Sequence, residues 1–143
     1  MLYFLIIFIL IADQLSKLYI INNFYYGESI AIIDNILHIT YVKNTGAAFG
    51  ILKGKSEIFI LITIVIITSL LYYRFKCTEK EIFMDMALAL IIGGAIGNLI
   101  DRIRLKYVVD FIDLRVWPVF NIADSAVVVG AFLLIIYIYR FDI

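Results

Sequence analysis

The sequence predicts an all-α membrane bundle, four transmembrane helices with a small β-sheet attached, forming a single domain over residues 1–143. Three observations predict it. Hydrophobic residues make up 64% of the chain and the mean hydropathy is +1.04, where a soluble domain is roughly one-half apolar. Four separate stretches are long and apolar enough to cross a bilayer. Between the first two, apolar and polar residues alternate with the two-residue period of a strand.

The first stretch, residues 2–21, has no basic segment before it, and Asp13 and Lys17 interrupt the place where a leader would be cleaved. It reads as a retained helix. The second, 58–73, is the clearest, with Ile, Leu, Val and Phe each contributing about −0.5 kcal/mol to insertion. The third, 82–100, and the fourth, 123–139, resemble the first in carrying an aspartate (Asp85, Asp124 and Asp13 respectively). An ionised Asp at mid-helix costs about 2.5–3.5 kcal/mol, so depth decides whether these helices insert.

Depth follows from the helical rise. Asp13 lies about 18 Å from Met1 and Lys17 about 24 Å; Asn98 and Asp101 lie about 27 and 32 Å from Lys80; Asp124 lies about 24 Å back from Arg140. The apolar core is about 30 Å thick. Four crossings put both ends of the chain and the 74–81 loop on one side, so these polar residues converge towards the other. Asp85 is the exception and is expected to snorkel at the 74–81 side. Gly93, Gly94 and Gly97 permit close helix approach in the third span, two of them at GxxxG spacing. Over about 22–56, Ile30–Ile33 and Leu37–Val42 read as strands around an Asp34-Asn35 turn. Asn44-Thr45-Gly46 reads as a second turn, with Ala47–Leu52 as a returning strand. The sheet is expected to lie on the membrane surface. Arg74, Lys76 and Lys80 cluster in the short loop, but the opposing loops hold more basic residues spread over more chain, so charge counting leaves the orientation open.

A formal net charge of zero gives no electrostatic case for nucleic acid. The single cysteine, Cys77, excludes an intrachain disulfide. With one histidine, His38, on a predicted strand, there is no Ser–His–Asp or Cys–His pair and no set of zinc ligands. No metal or other cofactor is expected. Carboxylates dominate the shared face. Two held close share one proton: the ionised one takes a proton from water while the protonated one polarises a carbonyl, which is aspartic-protease chemistry. Each member also has a plainer reading. Asp13 and Lys17 neutralise each other at i, i+4, and Asn98 and Arg102, at the same spacing, fix a helix end. Asp101 with Arg102, and Asp113 with Arg115, read as solvated ion pairs. Asn121 or Asp124 caps the last helix, and Trp117-Pro118 makes an interfacial anchor and turn. A different class, a small transporter or proton relay, would string ionisable groups through the bilayer. Here they gather at one face, and the middle of the second span has none.

Taken together, five segments resemble the lipoprotein signal peptidase family, the type II signal peptidases of bacteria. They are Ala12-Asp13-Gln14-Leu15-Ser16-Lys17, Asn44-Thr45-Gly46-Ala47-Ala48-Phe49-Gly50, the Gly93–Arg102 stretch, Val108-Val109-Asp110-Phe111, and Phe120-Asn121-Ile122-Ala123-Asp124-Ser125. The resemblance implies Asp110 and Asp124 as a catalytic pair; by proximity alone Asp113 competes with Asp110, and only the motif favours the latter. It implies supporting roles for Asp13, Lys17, Asn44, Gly46, Asn98, Arg102 and Asn121. It further implies a monomeric multi-pass protein of the bacterial cytoplasmic (inner) membrane, with termini inside and the sheet and paired aspartates at the extracytoplasmic face. Its partners would be membrane lipid and a diacylglyceryl-modified prolipoprotein, cut before the lipidated cysteine.

Overall fold

The computed structural model describes residues 1–46, 55–77 and 81–141. Helices α1 (Leu2–Asn23), α2 (Ser56–Lys76), α3 (Ile82–Leu105) and α4 (Ile122–Phe141) occupy the four predicted spans, and all four are long and apolar enough to cross a membrane. Each runs past its apolar stretch, because helical hydrogen bonding does not stop where hydropathy falls. The clearest case is α3, which continues through Asp101, Arg102 and Arg104. It ends at Lys106, in a left-handed conformation (φ 67°) with its N–H bonded to the Arg102 carbonyl. The Lys106 carbonyl accepts the Ser56 hydroxyl at 2.7 Å, tying the end of α3 to the start of α2.

The central helix is α3, buried along much of its length from Met84 to Asp101, with α1, α2 and α4 packed around it. Its glycines explain how. A Cβ on Gly93 would lie 3.2 Å from the Ile6 carbonyl oxygen, and one on Gly97 would lie 2.5 Å from the Asp13 carboxylate. A Cβ on Gly94 would strike the Ala123 carbonyl oxygen and sit 2.9 Å from Val127 Cγ2. In return a Cβ on Gly130 of α4 would lie 2.8 Å from the Ala87 carbonyl oxygen, so α3 and α4 meet backbone to backbone. Gly94→Ala is therefore expected to destabilise the protein by about 1–3 kcal/mol, the range for overpacked cores. A lowered melting temperature in detergent micelles checks this; an unchanged one refutes the close-approach reading. Facing outward, Phe4, Phe8, Leu61, Val65, Phe132 and Ile135 are all exposed, as a bilayer solvent requires.

The sheet is antiparallel, in the order β1 (Ser29–Ile33), β2 (Leu37–Asn44), β3 (Val108–Asp113). The predicted hairpin is present, with Asn35 taking the left-handed turn position (φ 62°). The expected returning strand, Ala47–Leu52, lies outside the described residues; the third described strand, 108–113, pairs with β2 and sets Val42 opposite Asp110. Val109 and Phe111 of β3 pack with Ile20 and Tyr41. Along its other edge, Ile112 exchanges backbone hydrogen bonds with Phe120, at 2.7 and 3.0 Å. Asp110 is thus held between the hairpin and the entry to α4. At the opposite end of the bundle, on the 74–81 side where it was expected, Asp85 is ion-paired with Arg74.

Candidate active site

Five elements bring polar side chains to one end of the bundle. From α1 come Asp13 and Lys17, one turn apart on its inner face; from β2 comes Asn44. Asn98, Asp101 and Arg102 belong to the last turns of α3, and Asp110 to β3. Asn121 and Asp124 open α4. Burial here is extreme for charged groups: Asp13 is 0% exposed, Lys17 2%, Asp110 1% and Asn121 0%. Such groups persist only if every donor and acceptor is matched. Among the described residues, no buried side-chain nitrogen or oxygen lacks a partner.

The Lys17 ammonium is the hub. It lies 2.9 Å from Asp13 Oδ2, 3.0 Å from Asp101 Oδ2 and 2.9 Å from Asn98 Oδ1. Its three donors meet three acceptors. From there Asn98 Nδ2 donates to Asp124 Oδ1 at 2.7 Å. Asn121 Nδ2 donates to Asp110 Oδ1 at 2.7 Å and to Asn98 Oδ1 at 3.2 Å. Asn44 Nδ2 takes the other Asp110 oxygen at 2.9 Å, while its own Oδ1 accepts the Gly46 N–H at 3.0 Å. Arg102 reaches the carbonyls of Asn98 and Gly46, each at 3.5 Å. The two aspartates on which the motifs converge are thus joined through Asn98 and Asn121. Both line one cavity of about 710 Å³, open on one side, whose wall also includes Asn44, Gly46, Asn98 and Arg102.

The start of α4 is built for this place. Asn121 Oδ1 accepts the Asp124 N–H at 2.8 Å, a helix N-cap. The N–H of Ala123 is taken at 3.0 Å by Asp13 Oδ1 from α1. Two of the orphan donors of that helix end are therefore satisfied, and Asp124 is fixed by its own backbone.

Asp13, Lys17, Asn44, Gly46, Asn98, Arg102, Asp110, Asn121 and Asp124 all join this network. The structure also separates Asp110 from Asp113, which points away to Thr40 (2.8 Å) and Arg115 (3.2 Å) and is not among the cavity's lining residues. The expected Asp113–Arg115 pair is present, and its hydrogen bonds from Arg115 and Thr40 outweigh burial to hold Asp113 below the usual carboxylate range. Asp101 corrects the expectation of a solvated pair with Arg102. It is buried (3% exposed), and its Oδ2 takes both Lys17 and the backbone N–H of Val109, at 3.1 Å, next to Asp110. Gln14 was also missed: its Nε2 donates to Asp13 Oδ2, Asp101 Oδ1 and the Gly97 carbonyl, at 3.1–3.2 Å. Its signal was its place beside Asp13 in the first motif.

On Asp110 the electrostatics are unusual. Burial, then the neighbouring Asp124, push its carboxyl up to about 7, against the opposing pull of hydrogen bonds from Asn44 and Asn121. A carboxyl that keeps a proton near neutrality beside a second carboxylate can share that proton with it.

Fold and site define a multi-pass membrane protein with a carboxylate-bearing cleft at one end of its helix bundle. Its relatives make the definition sharper. The signal peptidase (SPase) II family model matches residues 5–140. A lipoprotein signal peptidase of Halothermothrix orenii is 51% identical over 98% of this chain and 96% of its own length. That of Clostridioides difficile is 49% identical over 99% and 97%. A solved bacterial membrane enzyme, obtained by the in meso method at 2.3 Å resolution, superposes with a TM-score of 0.93 at 40% identity, covering 97% of this chain and 87% of that one. The chain belongs to the signal peptidase II family and is a peptidase.

Proposed function

We propose that this peptidase removes the signal peptide from diacylglyceryl-modified bacterial prolipoproteins, cutting before the lipidated cysteine, with Asp110 and Asp124 as the catalytic pair. One observation carries the reading: two carboxylates from successive elements, β3 and α4, linked through Asn98 and Asn121, line the same cavity. They hold one proton between them and a water in the cleft. The ionised carboxyl takes a proton from that water as its oxygen attacks the scissile carbonyl carbon, and the protonated one donates to the carbonyl oxygen. As the C–N bond of the tetrahedral intermediate breaks, a proton passes to the departing cysteine nitrogen. No metal or cofactor is needed for any step.

Asn44, Asn98 and Asn121 orient the two carboxyls. Lys17 and Asp13 fix α1, α3 and the α4 terminus around them, while Arg102 and Gly46 face the substrate backbone. The cavity continues from the carboxylates along Phe59, Ile66, Ile91 and Val128. This apolar cleft suits a substrate entering sideways from lipid, its acyl chains left against the helix faces. In this reading the protein is a monomer in the cytoplasmic membrane, its termini inside and its cleft at the outer face. An assay of purified protein on a diacylglyceryl-modified precursor and on its unlipidated form tests the substrate. Selective cleavage of the first supports the reading, and equal cleavage of both overturns the lipid requirement.

The proton on Asp110 gives this chemistry a pH dependence. With its carboxyl pushed up to about 7, the shared proton is held below that pH and lost above it. Activity is expected to fall about tenfold per pH unit on the alkaline side, and kcat/KM against pH in micelles checks it. For stability the sign is the same. The folded state binds the proton more tightly than the unfolded chain, so this contribution is complete below about 3.8 and lost as pH rises through about 7.

A further inference from the structure

One wall of the cavity is α2, which contributes Phe59, Thr63 and Ile66, a single helix face. The Arg102 guanidinium lies 5.0 Å from the centre of the Phe59 ring, so the two helices touch along this wall. Ser56 at the start of α2 bonds Lys106 at the end of α3, so the two helices run in opposite directions. Seven residues from that Ser56–Lys106 junction along each helix descend about 10 Å, reaching Thr63 on α2 and Leu99, the neighbour of Asn98, on α3. Thr63 is therefore level with the side chain that holds Asp124.

Thr63 is the one hydroxyl that α2 presents to the cavity, and it makes no hydrogen bond among the described residues. Thr68, on the same helix, does what a helical threonine in an apolar setting usually does, bonding the carbonyl four residues back (Ile64, 2.8 Å). Within a bilayer an unspent donor is unfavourable unless something else supplies an acceptor. In a lipidated peptide seated between Thr63 and the carboxylates, the available strong acceptors are carbonyl oxygens, of the backbone or of the acyl esters.

We propose that Thr63 is a specificity-determining residue, its hydroxyl donating to a substrate carbonyl in the cleft it shares with Asp124. The inference rests on the cleft being the substrate site as proposed above. The test compares wild type, Thr63→Val, Thr63→Ser and the control Thr68→Val, as purified full-length protein, on a diacylglyceryl precursor and on its dialkyl ether analogue, which lacks ester carbonyls. One hydrogen bond predicts a rise in KM of about threefold to tenfold for Thr63→Val, with kcat nearly unchanged, restoration in Thr63→Ser and no effect in Thr68→Val. A penalty on the diacyl substrate alone identifies the ester carbonyl; a penalty on both identifies the peptide. An unchanged KM on both, or an equal penalty in Thr63→Ser, overturns the inference while leaving the peptidase site intact. A wild-type protein that cleaves neither substrate overturns both.

Discussion

Asp124→Asn is expected to abolish cleavage while leaving a folded protein. Asp124 takes one side-chain hydrogen bond, from Asn98 Nδ2 at 2.7 Å. An asparagine can turn its carbonyl oxygen to that donor and its amide to the cleft, so nothing buried loses a partner. Lost with the carboxylate is one of the two groups that must exchange protons with water and the scissile bond. The expected fall in kcat is about a thousandfold or more, within the range for removal of a general acid or base. Asp110→Asn should be equally inactive for a different mixture of reasons. Both oxygens of Asp110 accept amide donors, from Asn121 and Asn44, so either orientation of an asparagine sets donor against donor. That mismatch costs about 1–3 kcal/mol. Melting temperatures should therefore separate the two variants, with Asp124→Asn near wild type and Asp110→Asn below it. Retention of more than about a tenth of the activity by Asp124→Asn would remove that residue from the chemistry.

How far the sequence anticipated this geometry differs by element, for physical reasons. Convergence of Asp13, Lys17, Asn98 and Asp124 was legible because helical rise is constant: position along an apolar span converts directly to depth. The β1–β2 hairpin was legible because its alternation and its Asp34-Asn35 turn are local. The strand β3 was not. Its six residues are buried on both faces, interrupted by Asp110 and Asp113, and paired with a strand far away in the chain; such a run has no period of its own to read. Asp101 was misread through adjacency. On a helix, consecutive residues point about 100° apart, so Asp101 turns to Lys17 on α1 while Arg102 turns to the cleft, and their opposite charges do not meet. Gln14 escaped notice likewise, since its reach to Gly97 and Asp101 depends on how closely α1 lies against a glycine face of α3. What the sequence conveyed well was the identity of the groups, and what it conveyed poorly was which neighbour each would choose.

Lys17 follows from the same choice, and its removal is expected to have the largest structural effect in the protein. Asp13 and Asp101 sit in the interior with a single ammonium between them, at 2.9 and 3.0 Å. In Lys17→Met both carboxylates keep their backbone donors, Ala123 N–H and Val109 N–H, but lose their counter-charge. Breaking a buried pair by removing one partner costs about 3–5 kcal/mol, a large part of a stability that is about 5–15 kcal/mol in ordinary proteins. The melting temperature in micelles should fall by about 10 °C or more. Lys17→Arg should not restore it, because three acceptors converging on one point fit an ammonium and not a planar fork. Lys17→Met combined with Asp101→Asn should recover part of the loss, since one unpaired charge goes with the lysine. Whatever folded Lys17→Met survives should also cleave slowly, because Asn98, which positions Asp124, loses the shorter of the two hydrogen bonds, from Lys17 and Asn121, that anchor its own oxygen. If Lys17→Met melts like wild type, or the second substitution deepens the loss, the buried charges are not what holds α1 to α3, and Gln14 with the glycine contacts must carry that junction instead.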